Sequence, residues 1–378
     1  MADNKEKKVL NVPALRFPEF TEEGKEEQLD EIAELSKGGC ISKEQLSENG
    51  KPCILYGELY TRYKSEIIRK VISKTNIESS NLKHSKRNDV IIPCSGETAI
   101  DIAVARCIPF DNILLGGDLN VIRLHKGDGA FMAYQLNGKR KIDIAQLAQG
   151  VSVVHLYGEN LKTIKTYNPC LQEQQKIVRL LSILDERIST QNKIIEKLET
   201  LIKGIIETVI SSQKPNTLIK NCLECNSSTL QESQVAETGT CPVYGATGIS
   251  GYTETADING ESILIIKDGS GVGTVKFVTG EYSYIGTLNS LSAKDGYCLK
   301  YIYIALQRFN FEPYKTGMAI PHIYFKDYGK AKIFCPTIKE QFAIAKRISS
   351  IEDKVSVEKR ILFYYQAQKS YLLSQMLI

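Results

Sequence analysis

The chain holds four histidines, and two of them, His155 and His322, stand in matching company far apart in the sequence. An imidazole can act as a general base, a metal ligand or a hydrogen-bonding group near neutral pH. No serine or cysteine nucleophile is placed equivalently beside both, so a hydrogen-bonding or packing role is expected rather than a catalytic dyad. Around His322 the stretch TGMAIPHIYFKDYGK adds Thr316, Lys326 and Lys330, donors that suit phosphates or base edges. A second candidate, DGSGVGTVKF from Asp268 to Phe277, carries Gly269, Gly271 and Gly273. A dinucleotide loop needs its last glycine to open a helix, whereas Thr-Val-Lys-Phe-Val favours a strand. The glycines are therefore expected to make a hairpin turn whose backbone can approach another group closely.

Other catalytic patterns are missing. There is no G-x-x-x-x-G-K-[ST] phosphate loop. NPCL, at Asn168–Leu171, only superficially matches the Asn-Pro-Pro-aromatic motif of amino-methyltransferases, and no clamping aromatic follows it. A nuclease cluster of two carboxylates and a lysine is not evident. The ten cysteines repeat no spacing; Cys222 and Cys225 form one C-x-x-C, but only Cys241 is near enough to help, so no zinc site is expected.

The elements that position these residues come from an internal repeat. A shift of 336 − 169 = 167 lays Pro169 on Pro336 and also pairs Gly150 with Gly317, His155 with His322 and Tyr157 with Tyr324. The register continues through Glu173/Glu340, Gln174/Gln341, Ile177/Ile344, Ser182/Ser349 and Ile194/Ile361. Upstream the match needs gaps: CILYGELYTRY faces CPVYGATGISGY, DVIIPCSGETAID faces SILIIKDGSGVGT, and GGDLNVIRL faces IGTLNSLSA. These β-branched runs broken by Gly, Asn and Asp read as short strands and tight turns. The fold class is α+β: two strand-rich lobes, each followed by one long helix, with SSQKPNT joining the copies.

In the first helix Ile177, Leu181, Leu184, Ile188, Gln191, Ile195, Leu198, Ile202, Ile205 and Val209 follow alternating steps of four and three. The shift gives Ile344, Ile348, Ile351, Val355, Glu358, Leu362, Tyr365, Lys369, Leu372 and Met376. These are the a and d positions of a coiled-coil seam. An antiparallel pair related by a pseudo-twofold axis is expected, each helix about 40 residues and roughly 60 Å long. Gln191 and Glu358 would either form a polar layer near the middle that penalises slipped registers or stand exposed at a local bend. Pro169 and Pro336 are expected in the first helical turn, with Glu173 and Glu340 near the positive end of the helix dipole. The predicted domains are 1–168 (with a flexible tail over 1–12), 169–211, 212–335 and 336–378.

Composition is that of a globular protein, with a mildly basic net charge of +4. No export signal is read in MADNKEKKVLN, and no apolar run is long enough to span a bilayer. A cytoplasmic location with reduced thiols is expected.

Two unlike lobes, each followed by a helix opened by Pro-x-[LI]-x-E-Q, resemble the specificity subunit of type I restriction-modification systems. VPALRFPEF, TGMAIPHI, PCLQEQQKI and PTIKEQFAI are each similar to that family's recurring stretches, and the resemblance covers nearly the whole chain. The family often has two adjacent prolines where this chain has Pro169-Cys170 and Pro336-Thr337.

The resemblance implies a non-catalytic reader of double-stranded DNA. Each lobe would read one half of a split target, and the helices would fix the gap and dock two modification (methyltransferase) subunits. Restriction subunits would join them, with S-adenosylmethionine, ATP and Mg bound by these partners and no cofactor or metal by this chain. In the first lobe the side chains suited to base edges or phosphates are Ser95, Glu97, Thr98, Gln149, Ser152 and His155. In the second they are Lys267, Ser270, Lys276, Thr316, His322 and Lys326. The alternative reading is a coiled-coil scaffold presenting two lobes to a ligand other than nucleic acid.

Overall fold

A computed structural model describes residues 12–39, 41–78 and 82–378. The charged N-terminal tail expected over 1–12 lies outside these residues, apart from Val12. The backbone gathers into two compact units, 1–192 with 360–378 and 193–359, so each long helix is divided between both.

In the first unit the strand Asp89–Pro93 is buried along its whole length, its apolar run Val90–Pro93 covered on both faces and Asp89 paired with Arg123. It pairs antiparallel with Leu119–Leu124 and Arg106–Ile108, and Leu119–Leu124 pairs in turn with Ala33–Lys37. A separate five-stranded sheet carries Lys51–Ile54 at its centre and Lys83–His84 at one edge. Helix Gly129–Asn137 packs into the lobe, capped by Asp128, whose carboxylate accepts from the N–H groups of Ala130 and Phe131.

The second unit uses the same core order. Ile258–Ile266 pairs antiparallel with Val275–Tyr284 and Leu288–Ala293, and Leu288–Ala293 with Leu223–Ser227. Gly269, Gly271 and Gly273 lie in the hairpin turn at φ of 88°, 82° and 91°, the left-handed region that glycine enters without strain. The gapped alignment is thus a structural one: the four core strands correspond, and the lobes differ in what is added around them.

The long helices run from Leu171 to Ile206, continued by a π-helical turn over Glu207–Ser211, and from Ile338 to Met376. All twenty seam positions are buried or half-buried. In the first unit Arg187 stacks over Tyr365 while Asp185, two residues earlier, meets Lys369, four residues later, so the two strips run antiparallel. In the second unit Glu199 pairs with Lys359, and Ile205 and Val209 share a cleft with Ile344 and Glu340, the same sense. No helix among the described residues is long and apolar enough to cross a membrane.

The helix entrances differ from expectation in two respects. Pro169 and Pro336 precede the first helical residue by two positions instead of lying in the first turn. They stay outside because each proline carbonyl accepts a side-chain bond from the glutamine five residues on, at 2.8 Å from Gln174 and 2.9 Å from Gln341. The paired glutamates also part ways. Glu340 remains exposed and accepts from the Thr337 N–H at 3.0 Å, a helix-start role. Glu173 is buried instead against Arg16, whose Nε and Nη2 donate to its two oxygens at 2.7 and 2.6 Å. That bond holds the Arg16 guanidinium above its ordinary pKa.

Candidate DNA interface

Each lobe closes one loop in the same way. In the first, Gln149 and His155 exchange both backbone hydrogen bonds, at 2.9 and 2.7 Å. In the second, Thr316 and His322 do so at the same two lengths. Gly150 and Gly317 turn the chain just inside each clasp, at φ of 117° and 89°. A Cβ would fall 2.2 Å from the Val153 carbonyl oxygen at the first and 2.4 Å from that of Ile320 at the second. The repeat therefore preserves these glycines because no larger residue fits the turn.

Both loops are tied to the segment leaving the central strand. His155 bridges to Ser95, with Leu156 N–H donating to the Cys94 carbonyl at 2.7 Å. His322 bridges to Asp268, with Ile323 N–H donating to the Lys267 carbonyl at 2.9 Å. Backbone pairing is what the two histidines share. Their rings differ: His322 Nδ1 lies 2.7 Å from Asp268 Oδ1, whereas His155 stacks on Tyr157.

Most of the expected residues converge on these loop pairs. In the first lobe Glu97, Gln149, Ser152 and His155 are exposed there. Ser95 is buried with its hydroxyl donating to Asp118, and Thr98 caps the short helix Ala99–Ile102. In the second lobe Lys267, Ser270, Thr316 and His322 lie on the joined loops, and Lys326 follows on the helix Phe325–Tyr328. Lys276 stands apart on the strand Val275–Tyr284, its ammonium 4.5 Å from the centre of the Tyr244 ring.

The two sites differ in charge. The second gathers Lys267, Lys315 and Lys326 in and around its loops; the repeat sets Ala148 and Glu159 opposite the last two, and the strand alignment sets Cys94 opposite the first. Burial is the main cause that raises the Tyr60 phenol, with the neighbouring tyrosine and the charges of Glu97 and Asp101 adding to it. Burial likewise raises the Cys225 thiol to about 11, and Lys267 works against it. The first lobe's loops thus offer acceptors and neutral donors, the second's cations and neutral donors. Exposed cations of the first lobe lie on neighbouring segments, among them Lys37, which works against the burial-raised Cys94 thiol, and Lys86 and Arg87 in the turn after the edge strand Lys83–His84.

A shared feature escaped the sequence reading. Val151 and Met318, Val153 and Ile320, and Tyr157 and Tyr324 are pairs under the 167 shift, and all six are exposed apolar or aromatic residues. Met318 and Val151 are essentially fully solvent-facing, at 105% and 97%. The signal was available in the repeat, which marks Tyr157/Tyr324, but periodicity alone does not say which apolar residues stay outside. Among the described residues no group of three metal-ligating side chains forms.

Comparison with known proteins agrees with this geometry. The type I restriction modification DNA specificity domain matches the chain twice, over residues 22–200 and 221–362. The fold is similar to the S subunit of a type I restriction-modification system from M. genitalium. That similarity has a TM-score of 0.69 at 18% identity and covers 97% of this chain and 99% of that one. It is also similar to a chain from a study of complex assembly and conformational transition of the type I R-M system, with a TM-score of 0.53 at 16% identity, covering 94% and 97%. With both lobes and most of both long helices inside the matched ranges, the chain belongs to the type I restriction-modification DNA specificity family.

Proposed function

We propose that this chain is the cytoplasmic, non-catalytic specificity subunit of a type I restriction-modification complex, and that each clasped loop pair reads one half of a split DNA target. The observation that carries the reading is the repeated clasp. One backbone frame, built twice, presents different polar side chains in the two lobes, as two readers of unlike sequences require. In the first lobe Glu97 and Gln149 accept from or pair with base edges. In the second Lys267 and Lys326 hold phosphates while Ser270 and Thr316 face bases.

The antiparallel helices set the gap between half-sites and dock two modification subunits. Exposed apolar side chains on both helices support this role, among them Leu171 and its repeat partner Ile338, with Phe342, Phe363 and Tyr364. Apolar side chains turned outward in such number on a helix surface mark a protein interface. S-adenosylmethionine, ATP and Mg belong to the modification and restriction subunits in this scheme. Native mass spectrometry of the chain purified with its modification subunit tests the assembly. One copy of this chain with two of the partner is expected; a single partner or none contradicts the docking role.

A further inference from the structure

In the first unit the second long helix puts a lysine where the seam would take an apolar side chain. Lys369 is 13% exposed, and its Nζ lies 2.5 Å from Glu66 Oε2 and 2.6 Å from Asp185 Oδ1. It also sits 5.4 Å from the centre of the Tyr134 ring. Asp185 accepts from the Tyr134 hydroxyl at 2.6 Å and from Ser65 Oγ at 2.8 Å. Buried Arg106, bonded to the carbonyls of Leu59, Tyr63 and Ala105, lies close enough to feel the charges of Glu66 and Asp185. Two cations therefore balance two carboxylates in a water-poor site.

The repeat does not reproduce this layer. The 167 shift carries Asp185 onto Glu352 and Tyr134 onto Tyr301, and it carries Lys369 back onto Ile202. In the second unit Glu352 meets Lys300 at 3.1 Å in a half-exposed pair, and Ile202 packs against the apolar core.

We propose that the Lys369–Glu66–Asp185 cluster decides which helix can complete the first lobe: it admits the chain's own C-terminal helix and rejects the first long helix of a second copy. Both helices carry the same seam, so an apolar interface alone would let two N-terminal halves pair with each other. Such a pair would place Ile202 where Lys369 now stands. Glu66 and Asp185 would then be left in a dry site without the ammonium that bonds both, an arrangement that burial penalises heavily. The cluster thereby keeps two unlike lobes in one molecule. The inference needs only the repeat and this site, and it holds whether or not the loops read DNA as proposed.

A protease site placed in residues 212–216 of the full chain allows the folded protein to be cut between its copies. The halves are then exchanged in mild denaturant, reconcentrated and counted by native mass spectrometry. Mixed pairs should exceed N-terminal homodimers by about a hundredfold or more, the scale set by an uncompensated buried charge. Ile202→Lys restores the missing ammonium to the homodimer and should raise its share by about tenfold or more. Glu66→Gln/Asp185→Asn/Lys369→Ile, if it folds, should move the ratio the same way. Wild-type halves that self-pair as readily as they mix overturn the proposal, as does a folded Ile202→Lys protein whose ratio is unchanged.

Discussion

Gln174 and Gln341 hold the same two backbone groups in their separate lobes. Each side-chain NH₂ donates to the carbonyl of the proline five residues earlier. Each Oε1 accepts from the residue that caps the lobe's core helix, Asp128 N–H at 2.8 Å and Cys298 N–H at 3.0 Å. The repeated Glu-Gln is thus a joint between a stiff helix and the lobe it follows, and the glutamine is the half of it that both copies use alike. Replacing either by leucine leaves a buried N–H and a carbonyl without partners, so a loss of about 1–3 kcal/mol per site is expected. Urea unfolding of Gln174→Leu and Gln341→Leu measures it, and two neutral results would remove the joint.

The glutamates should behave unequally. Glu173→Ala strands the Arg16 guanidinium in a largely buried site and should cost about 3–5 kcal/mol, the usual penalty for breaking a buried pair. Glu340→Ala removes a fully exposed cap and should change the melting temperature little. Equal effects at the two positions would contradict the asymmetry.

Gly150→Ala and Gly317→Ala each force a Cβ onto a carbonyl oxygen at positive φ, a strain of about 1–3 kcal/mol confined to one loop. The expected result is a nearly intact protein that has lost recognition of one half of its target, a different half for each variant. Measuring both melting temperature and the modified sequence separates loop distortion from unfolding.

Lys267→Ala and Lys326→Ala should weaken binding across DNA sequences and each flatten the salt dependence by about one unit of slope. Ser270→Ala, Thr316→Ala or Glu97→Ala should leave the slope alone and relax one position of one half-site. Affinity titrations at several salt concentrations distinguish the two kinds of contact.

The thiols give a pH test. Burial pushes Cys53 and Cys94 up to about 11 and Cys107 up to about 12, so all three stay protonated in the folded state near neutrality. Among the described cysteines, exposed Cys170 should alkylate first at neutral pH. A thiol raised on folding stabilises the protein fully below its unfolded pKa of about 9. That contribution is lost as pH rises through the folded values. Stability should therefore fall between about pH 9 and 12, and an unchanged melting temperature over that range would contradict the burial assignment.

The architecture was legible because a duplication writes it twice. The seam steps from Ile177 to Met376, the paired helix entrances and the strand-favouring residues after Gly273 are all local or periodic signals. Glu173 was not legible: its partner Arg16 is distant in sequence, and the same Glu in the second copy does something else. Lys369 read only as one more seam position, because Glu66 approaches from the other end of the chain and only the folded lobe brings it there. The candidate loops were partly legible, since the repeat marks the one that holds Gln149 and its counterpart Thr316. Which of their neighbours face outward depends on tertiary packing: Ser95 turns in to Asp118, Thr98 serves as a cap, and Lys276 lies along its strand.

The most direct test of the account is the methylation pattern of host DNA in cells carrying this chain with its modification subunit. Adenine methylation at a motif of two unlike half-sites separated by a fixed gap is the predicted result, with Gly317→Ala abolishing the requirement for one half only. A continuous motif, or methylation indifferent to the presence of this chain, would contradict it.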